Sequence, residues 1–214
     1  MSVFDHLGQH GIVPVIALDD AKDAIPLADA LIAGGLPVAE ITFRTAAARA
    51  TIAAIAKQRP DMLVGSGTVL TEAQVDQSFE AGARFALSPG IDIAVLAHAA
   101  KLGLPFAPGI MTPTDLQAAL RMGCKMVKFF PAMPAGGPNM LKNIAAPYAH
   151  TGIGFNPTGG VTMDNLGDWL ALPEVRAVGG TWIATKADIA AGNWDKITAN
   201  AKAAVARVAE LRAR

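Results

Sequence analysis

Lys128 is the side chain whose setting in the sequence most strongly indicates chemistry. It lies in the apolar run MVKFFPA (126–132), with hydrophobic residues directly before and after it. Because burying an ammonium ion is costly, a lysine in such a run is a candidate for chemistry that uses the neutral amine. A neutral amine at a strand end can form a Schiff base with a carbonyl carbon. The alternative is a lysine on an exposed strand face, which a parallel strand covered on both faces disfavours.

A second apolar run, VAEITF (38–43), carries Glu40, and Arg44 follows it directly. A carboxylate in such a run can transfer protons during a reaction. The planar guanidinium of Arg44 suits the recognition of a substrate carboxylate. A purely structural ion pair between the two side chains is the alternative.

Two glycine pairs lie near the end of the chain, Gly159-Gly160 and Gly179-Gly180, and Thr181 follows the second pair. Glycine lets backbone N–H groups come close to phosphate oxygens, and a threonine hydroxyl adds a further hydrogen bond. Turns also use glycine pairs freely. Two pairs together nevertheless indicate a phosphate site.

The residue types that bind metals are scattered along the chain. His6 and His10 are four residues apart but have no acidic or cysteine partner nearby, and the single cysteine, Cys124, precedes an apolar run. A zinc site needs three or four ligands together. We therefore expect no metal site and interpret Cys124 as a packed thiol.

Eight short apolar runs alternate with alanine-rich helical segments, as is typical of a parallel α/β protein. The runs cover residues 12–18, 38–43, 63–69, 85–90, 105–110, 126–132, 152–160 and 175–184. Eight strand–helix units predict an α/β fold, a (β/α)₈ TIM barrel over 1–214 as one domain, with a short N-terminal helix at 3–10. A doubly wound open sheet is the rival, but the first run ends in IAL-DD without the glycine-rich turn such sheets use.

Side chains that can cap a helix mark where the helices should begin. Such residues accept a hydrogen bond from the first free backbone N–H groups of a helix. The predicted cap positions are Asp19, Thr45, Thr71, Thr112, Thr162 and Asn193.

The predicted barrel brings the candidate residues to one face. In this fold the active site lies at the carboxyl ends of the strands, and phosphate commonly binds to the loops after the last two strands. Lys128, Glu40 and the two glycine pairs all occupy such positions. A single site at this face is therefore expected.

The composition excludes several other classes of protein. The 214 residues include 18 Lys+Arg and 18 Asp+Glu, and 52% are hydrophobic. Zero net charge argues against nucleic-acid binding and against a polybasic membrane anchor. One cysteine excludes a disulfide framework, no apolar run is long enough to span a bilayer, and the first residues lack signal-peptide features. We expect a cytoplasmic protein whose partner is a small molecule, not nucleic acid or a membrane.

Seven motifs follow one another along the chain: EITFRT (40–45), GSGTVL (65–70), SPG (88–90), PG (108–109), VKFFPA (127–132), PTGGV (157–161) and VGGTW (178–182). Together they resemble the 2-keto-3-deoxy-6-phosphogluconate (KDPG) and 4-hydroxy-2-oxoglutarate (KHG) aldolase family. Members of that family are class I, Schiff-base aldolases. KFFPA together with PTGG is the most specific part of the resemblance.

The resemblance implies a role for each matched position. Lys128 would form the Schiff base with the pyruvyl carbonyl, and Glu40 would transfer protons. Arg44 and Thr68 would hold the pyruvate carboxylate, and Thr158 would face the substrate and influence stereochemistry. The positions that would line the pocket or bind the phosphate are Pro89, Phe130, Gly159, Gly160, Gly179, Gly180 and Thr181.

The resemblance also implies a homotrimer of the Entner–Doudoroff pathway that needs no metal or organic cofactor. Three positions depart from the common pattern of the family: Thr181 replaces a frequent serine, Ser66 an alanine, and Asn156 a cysteine. None of them is the proposed nucleophile or base. They leave the choice of substrate more open than the chemistry.

Three alternatives stay open from the sequence. The first is the same aldolase chemistry on another 2-keto-3-deoxy sugar acid, such as the galactonate analogue. The second is a phosphosugar-binding barrel isomerase that forms no covalent imine. The third is a catalytically silent barrel that serves as a scaffold, which would tolerate loss of Lys128 or Glu40.

Overall fold

The computed structural model describes residues 1–213. Its nine strands are β1 (Ile12–Ile16), β2 (Val38–Thr42), β3 (Leu63–Gly67), β4 (Ala86–Leu87), β5 (Phe106–Ala107), β6 (Gly109–Ile110), β7 (Met126–Phe129), β8 (Gly154–Pro157) and β9 (Val178–Gly180). Each lies inside one of the eight apolar runs, and β5 and β6 share the fifth run.

At least one helix follows each run, and one precedes the first strand as predicted. The helices are α1 (Val3–His10), α2 (Ala24–Ala33), α3 (Ala48–Gln58), α4 (Glu72–Glu80), α5 (Ile93–Leu102), α6 (Pro113–Arg121), α7 (Gly137–Ala145), α8 (Leu166–Leu170), α9 (Lys186–Ala190) and α10 (Trp194–Arg212). Short 3₁₀ helices lie at Ala21–Asp23 and Ala146–Thr151.

The paired strands run parallel and follow one another around a barrel. Six pair in the order β5-β4-β3-β2-β1-β9, and three in the order β6-β7-β8. Pro108 separates β5 from β6, because proline has no N–H to donate to a neighbouring strand. A bridge between Thr158 and Gly179 joins the end of β8 to β9 and completes the circuit. The predicted (β/α)₈ barrel is thus confirmed, with its fifth strand divided in two.

Two of the predicted helix caps make the expected hydrogen bond. The Thr71 hydroxyl accepts from the N–H of Gln74 before α4. The Thr112 hydroxyl accepts from the N–H of Asp115 before α6, and the Asp115 carboxylate accepts in return from Thr112. These two bonds fix the start of each helix directly after a strand end.

The cap predictions for Asp19 and Thr45 are wrong. Asp20 instead of Asp19 caps the first 3₁₀ helix, and the Thr45 hydroxyl donates to the carbonyl of Leu18 at 2.6 Å. The Thr162 hydroxyl accepts from the N–H of Asn165 at 3.4 Å, in the turn that leads into α8, and the Asn165 side chain accepts in return from the N–H of Thr162. Asn193 does precede α10, but its side-chain amide donates to Asp188 and not to the helix.

The core lies between the barrel and its helices and continues into the barrel interior. The largest fully buried side chains include Trp169, Phe85, Phe129 and Phe155. The Phe129 and Trp169 rings lie 6.4 Å apart, which ties β7 to α8. Within residues 1–213, no helix combines the length and the apolar character needed to cross a membrane.

Candidate active site

Lys128 and Glu40 form a buried ion pair inside the barrel. Lys128 extends from β7 and Glu40 from β2, and the Nζ and Oε1 atoms are 3.0 Å apart. The side chains are only 6% and 1% exposed. A charged pair so far from water costs free energy unless its partners lie close together, and these do. The pair excludes the sequence alternative in which Lys128 extends into solvent.

One oxygen of the Glu40 carboxylate binds Lys128 and the other remains available. Oε2 is buried and has no hydrogen-bond partner within the described chain. A β-carbon at Gly67 of the neighbouring β3 would lie 2.1 Å from Oε1, so the carboxylate needs a glycine there. The ring of Phe130 also lies near the amine, with its centroid 5.7 Å from Nζ.

Arg44 is oriented by a neighbour on its own strand. The Thr42 hydroxyl donates to the carbonyl of Ile16 at 2.8 Å and accepts from Nε of Arg44 at 3.0 Å. Because a hydroxyl has one proton, the first bond leaves it able only to accept the second. The terminal amino groups of Arg44 can then receive a carboxylate. The predicted alternative of an ion pair between Glu40 and Arg44 is wrong, since Glu40 pairs with Lys128.

Thr68 follows the end of β3 in an unusual backbone conformation. Its φ is +56°, and no other non-glycine residue from 1 to 213 has a positive φ. This region is costly for a β-branched residue and is found mainly where function requires it. The backbone is thus a second observation, independent of the motif, in favour of the prediction that Thr68 belongs to the site.

Thr158 is held by a polar neighbour in the barrel. Its hydroxyl donates to Oδ1 of Asn156 at 3.0 Å, and Nδ2 of Asn156 donates to the carbonyl of Ala177 at 3.2 Å. Asn156 pairs with Lys128 in the register of β7 and β8. A β-carbon at Gly179 would lie 2.2 Å from the Thr158 hydroxyl oxygen, so this glycine makes room for Thr158.

The remaining glycines of the predicted phosphate site lie in the loop after β8 and in β9. Gly159 and Gly160 have φ values of +99° and +79°. The carbonyl of Gly159 accepts from the N–H of Met133 at 2.9 Å, which ties this loop to the loop after β7. Gly180 is buried, and Thr181 is exposed directly after it.

Pro89 and Phe130 line a cavity of about 450 Å³ at the carboxyl ends of the strands. The other lining residues are Gly90, Ile91, Gly109, Ile110, Met111, Asp115 and Pro131. Lys128 itself does not line the cavity. Phe130 both lines the cavity and lies beside the Lys128 amine. It offers an apolar wall beside the amine.

Ionisable groups elsewhere have structural surroundings. Hydrogen bonds from Lys196, Thr185 and Asn193 lower the pKa of Asp188 to about 2. Burial raises the pKa of the Cys124 thiol to about 11, in line with a packed thiol. Among the described residues, no group of three or more His, Cys, Asp or Glu could hold a metal ion.

The sequence interpretation missed three residues that shape the site: Thr42, Gly67 and Asn156. Thr42 and Gly67 lie inside quoted motifs, two residues from Glu40 and one from Thr68. Thr42 lies two residues from Glu40 and so shares its face of the strand, whereas Gly67 directly precedes Thr68 and has no such signal. Asn156 was noted only as a departure from a family pattern.

Known proteins resemble this chain over nearly its full length. Residues 3–200 match the family model described as KDPG and KHG aldolase. A "2-dehydro-3-deoxy-phosphogluconate aldolase" of Treponema pallidum is 44% identical over 93% of this chain and 94% of its own. A "KHG/KDPG aldolase" of Escherichia coli is 43% identical over 91% of this chain and 90% of its own.

A solved structure agrees in fold as well. The KDPG aldolase of Legionella pneumophila, with pyruvate captured as a covalent carbinolamine intermediate, superposes with a TM-score of 0.89. It is 39% identical, and the match covers 94% of this chain and 98% of that one. Sequence motifs, barrel and relatives agree, and the chain belongs to the KDPG and KHG aldolase family.

Proposed function

We propose that this protein is a class I aldolase that cleaves 2-keto-3-deoxy-6-phosphogluconate to pyruvate and glyceraldehyde 3-phosphate. The observation that carries the proposal is the buried contact of 3.0 Å between Lys128 and Glu40 inside the barrel. It places a nucleophile and a proton acceptor side by side, away from water. The carbinolamine in the Legionella relative supports this chemistry.

The first step requires a neutral amine, and Glu40 provides a route to it. A proton passes from Lys128 Nζ to the carboxylate, and the amine attacks the C2 ketone of the substrate. The new N–C2 bond forms a carbinolamine as the attacking nitrogen loses a proton and the former carbonyl oxygen takes it up. Glu40 then protonates the departing hydroxyl, water leaves, and a protonated imine remains.

The imine accepts the electron pair of the bond that breaks. Glu40, directly or through a water, removes the C4 hydroxyl proton, the C3–C4 bond breaks, and glyceraldehyde 3-phosphate leaves as the aldehyde. The enamine on Lys128 takes this proton from Glu40 at C3, which restores the carboxylate and the protonated imine. Water then adds to C2 and releases pyruvate together with the free amine.

The other predicted residues would hold the substrate on either side of the reacting carbons. The terminal amino groups of Arg44 and the hydroxyl of Thr68 would bind the C1 carboxylate and fix the plane of the imine. Thr158 would face the hydroxyl-bearing carbons, with Pro89 and Phe130 as the wall. The phosphate would bind at Gly159, Gly160, Gly179, Gly180 and Thr181.

A second substrate is 4-hydroxy-2-oxoglutarate, which the same steps would cleave to pyruvate and glyoxylate. The E. coli relative, whose name includes both substrates, supports it. The galactonate analogue is the remaining substrate alternative. The rates of pyruvate release from the three substrates, measured in a coupled assay, would rank them by preference.

We further propose the cellular setting that the family resemblance implies. The protein would work as a cytoplasmic homotrimer of single-domain subunits in the Entner–Doudoroff pathway, without metal or organic cofactor. Half-exposed apolar side chains after the strands, up to the first residue of the helix that follows, such as Leu70, Ile93 and Met111, support subunit contacts. Sedimentation equilibrium measures the oligomeric state.

The decisive experiment is borohydride reduction in the presence of pyruvate, followed by peptide mapping. We expect a stable adduct on Lys128 and none in the Lys128→Met variant. An adduct on Lys125, Lys142 or Lys186 would overturn the assignment of the nucleophile. No adduct at all, with binding of phosphosugars retained, would favour the isomerase alternative. The absence of both an adduct and any turnover in the unmodified protein would favour the scaffold.

A further inference from the structure

We propose that Asn156 is a positioning residue that makes the Thr158 hydroxyl an acceptor for a substrate hydroxyl, and so sets selectivity for the aldehyde half. The inference rests on the proposed aldolase function but adds a residue to which no role has yet been given. It follows from which group donates and which accepts in the two hydrogen bonds that link the Ala177 carbonyl, the Asn156 amide and the Thr158 hydroxyl.

The orientation of the Asn156 amide is fixed by its first partner. The side chain is 1% exposed, and one end lies 3.2 Å from the Ala177 carbonyl oxygen. A carbonyl oxygen can only accept, so the NH₂ group of the amide must face it. The opposite orientation would place two buried acceptors against each other. The amide oxygen therefore faces Thr158.

The same reasoning determines the polarity of Thr158. Its oxygen lies 3.0 Å from Oδ1 of Asn156, and an amide oxygen cannot donate. The single hydroxyl proton of Thr158 therefore points to Asn156, and only oxygen lone pairs remain for another partner. Thr158 is 3% exposed, so water does not readily compete for the bond. The hydroxyl thus receives hydrogen bonds from substrate but cannot donate to it.

The place of Thr158 along the barrel indicates which part of the substrate it meets. Asn156 lies beside Lys128 in the register, and Thr158 is two residues nearer the mouth on the same face of β8. Gly159 and Gly160 of the proposed phosphate site come next. Thr158 therefore lies between the carbon bound to Lys128 and the phosphate, where the substrate carries hydroxyl groups.

An acceptor with fixed polarity distinguishes the configuration of a hydroxyl group. The hydroxyl next to the aldehyde of glyceraldehyde 3-phosphate can donate to Thr158 in one enantiomer and points elsewhere in the other. Cysteine, which often occupies position 156 in the family that the motifs resemble, offers only a weak sulfur acceptor. With it the Thr158 hydroxyl would rotate freely and its selectivity would fall.

The test compares condensation of pyruvate with D- and L-glyceraldehyde 3-phosphate. We expect Asn156→Cys and Asn156→Leu to reduce the ratio of the two kcat/KM values by about two- to tenfold, the worth of one neutral hydrogen bond. Thr158→Val should reduce it as much, and the double variant Asn156→Leu/Thr158→Val no further. Asn156→Asp retains an acceptor for Thr158 and should retain the ratio while lowering stability.

Two outcomes would overturn the proposal: an unchanged ratio in Asn156→Leu, or additive effects in the double variant. Thr198→Val, which removes a hydroxyl-to-carbonyl bond of 3.0 Å between α10 and α2, controls for loss of stability alone. Borohydride trapping with pyruvate in every variant keeps the two proposals apart. Trapping on Lys128 with an unchanged ratio refutes only the role of Asn156, whereas no trapping in the unmodified protein refutes the aldolase.

Discussion

The carboxylate of Glu40 occupies the space that a side chain at position 67 would need. Gly67 lies at the end of β3, and its requirement is steric, because its φ is not among the positive values. The position of the proposed base therefore depends on the absence of one β-carbon on the neighbouring strand. The two residues form one functional unit although they are distant in sequence.

Gly67→Ala should displace Glu40 from Lys128 and slow the reaction. We expect kcat to fall about 10²-fold, within the range that general acid–base assistance contributes. Stopped-flow measurement of pyruvate release gives kcat per folded molecule. Gly103→Ala is the control for a loss of stability alone. Its φ of +69° strains an alanine, but a β-carbon there meets nothing within 4 Å. Equal kcat values in Gly67→Ala and the unmodified protein would show that Gly67 does not determine the position of the base.

Glu40→Gln tests the base directly. The amide can still accept a hydrogen bond from Lys128 but cannot take up a proton, so kcat should fall by about 10²–10⁴-fold. The lysine remains in place, and borohydride should still trap pyruvate on it, more slowly than in the unmodified protein. Unimpaired turnover in this variant would remove Glu40 from the mechanism.

Thr42→Val should weaken carboxylate binding by releasing Arg44. The valine retains the volume but neither accepts from Nε of Arg44 nor donates to Ile16, so KM for the substrate should rise about two- to tenfold. Arg44→Ala should raise KM further. Thr51→Val is the matched control, since the Thr51 hydroxyl is buried without a hydrogen-bond partner in the described chain. A rise in KM of the same size in Thr51→Val would contradict the role of Thr42.

Asp188 should make stability depend on pH in the acid range. Its pKa of about 2, lowered chiefly by Lys196, lies below the value of about 3.9 expected when unfolded. The stabilising effect is complete above the unfolded value and disappears as the pH falls towards the folded one. The urea midpoints of the unmodified protein and of Asp188→Asn should therefore differ at pH 6 and converge below pH 4. A constant difference across this range would contradict the assignment.

The two central residues were predictable from the sequence for a physical reason. A parallel strand is covered on both faces, so any ionisable residue within it needs a partner or a function. Lys128 and Glu40 were both identified in this way. Their contact was not, because the two residues are 88 positions apart and only the closure of the barrel brings them together.

Features that depend on a choice between partners were harder to predict. Thr45 has the side chain of a helix cap, but its hydroxyl finds a carbonyl at Leu18 on the neighbouring strand end. Asn156 and Thr158 have the spacing that puts them on one face of a strand. The polarity of their hydrogen bond, however, depends on the carbonyl of Ala177, which directly precedes β9. Such choices are decided by three-dimensional neighbours, which a local pattern does not contain.

The strands of the barrel differ in how extensively they pair with their neighbours. β2 and β3 pair over five registered positions, whereas the connection of β8 to the last strand depends on isolated bridges at Thr158 and Phe155. Amide hydrogens should therefore exchange with solvent faster at this junction than between β2 and β3, since local opening occurs where few bonds hold. The proposed phosphate loops lie on both sides of it. A bound substrate would then clamp a sparsely paired junction of the barrel, and the enzyme would be more rigid when occupied.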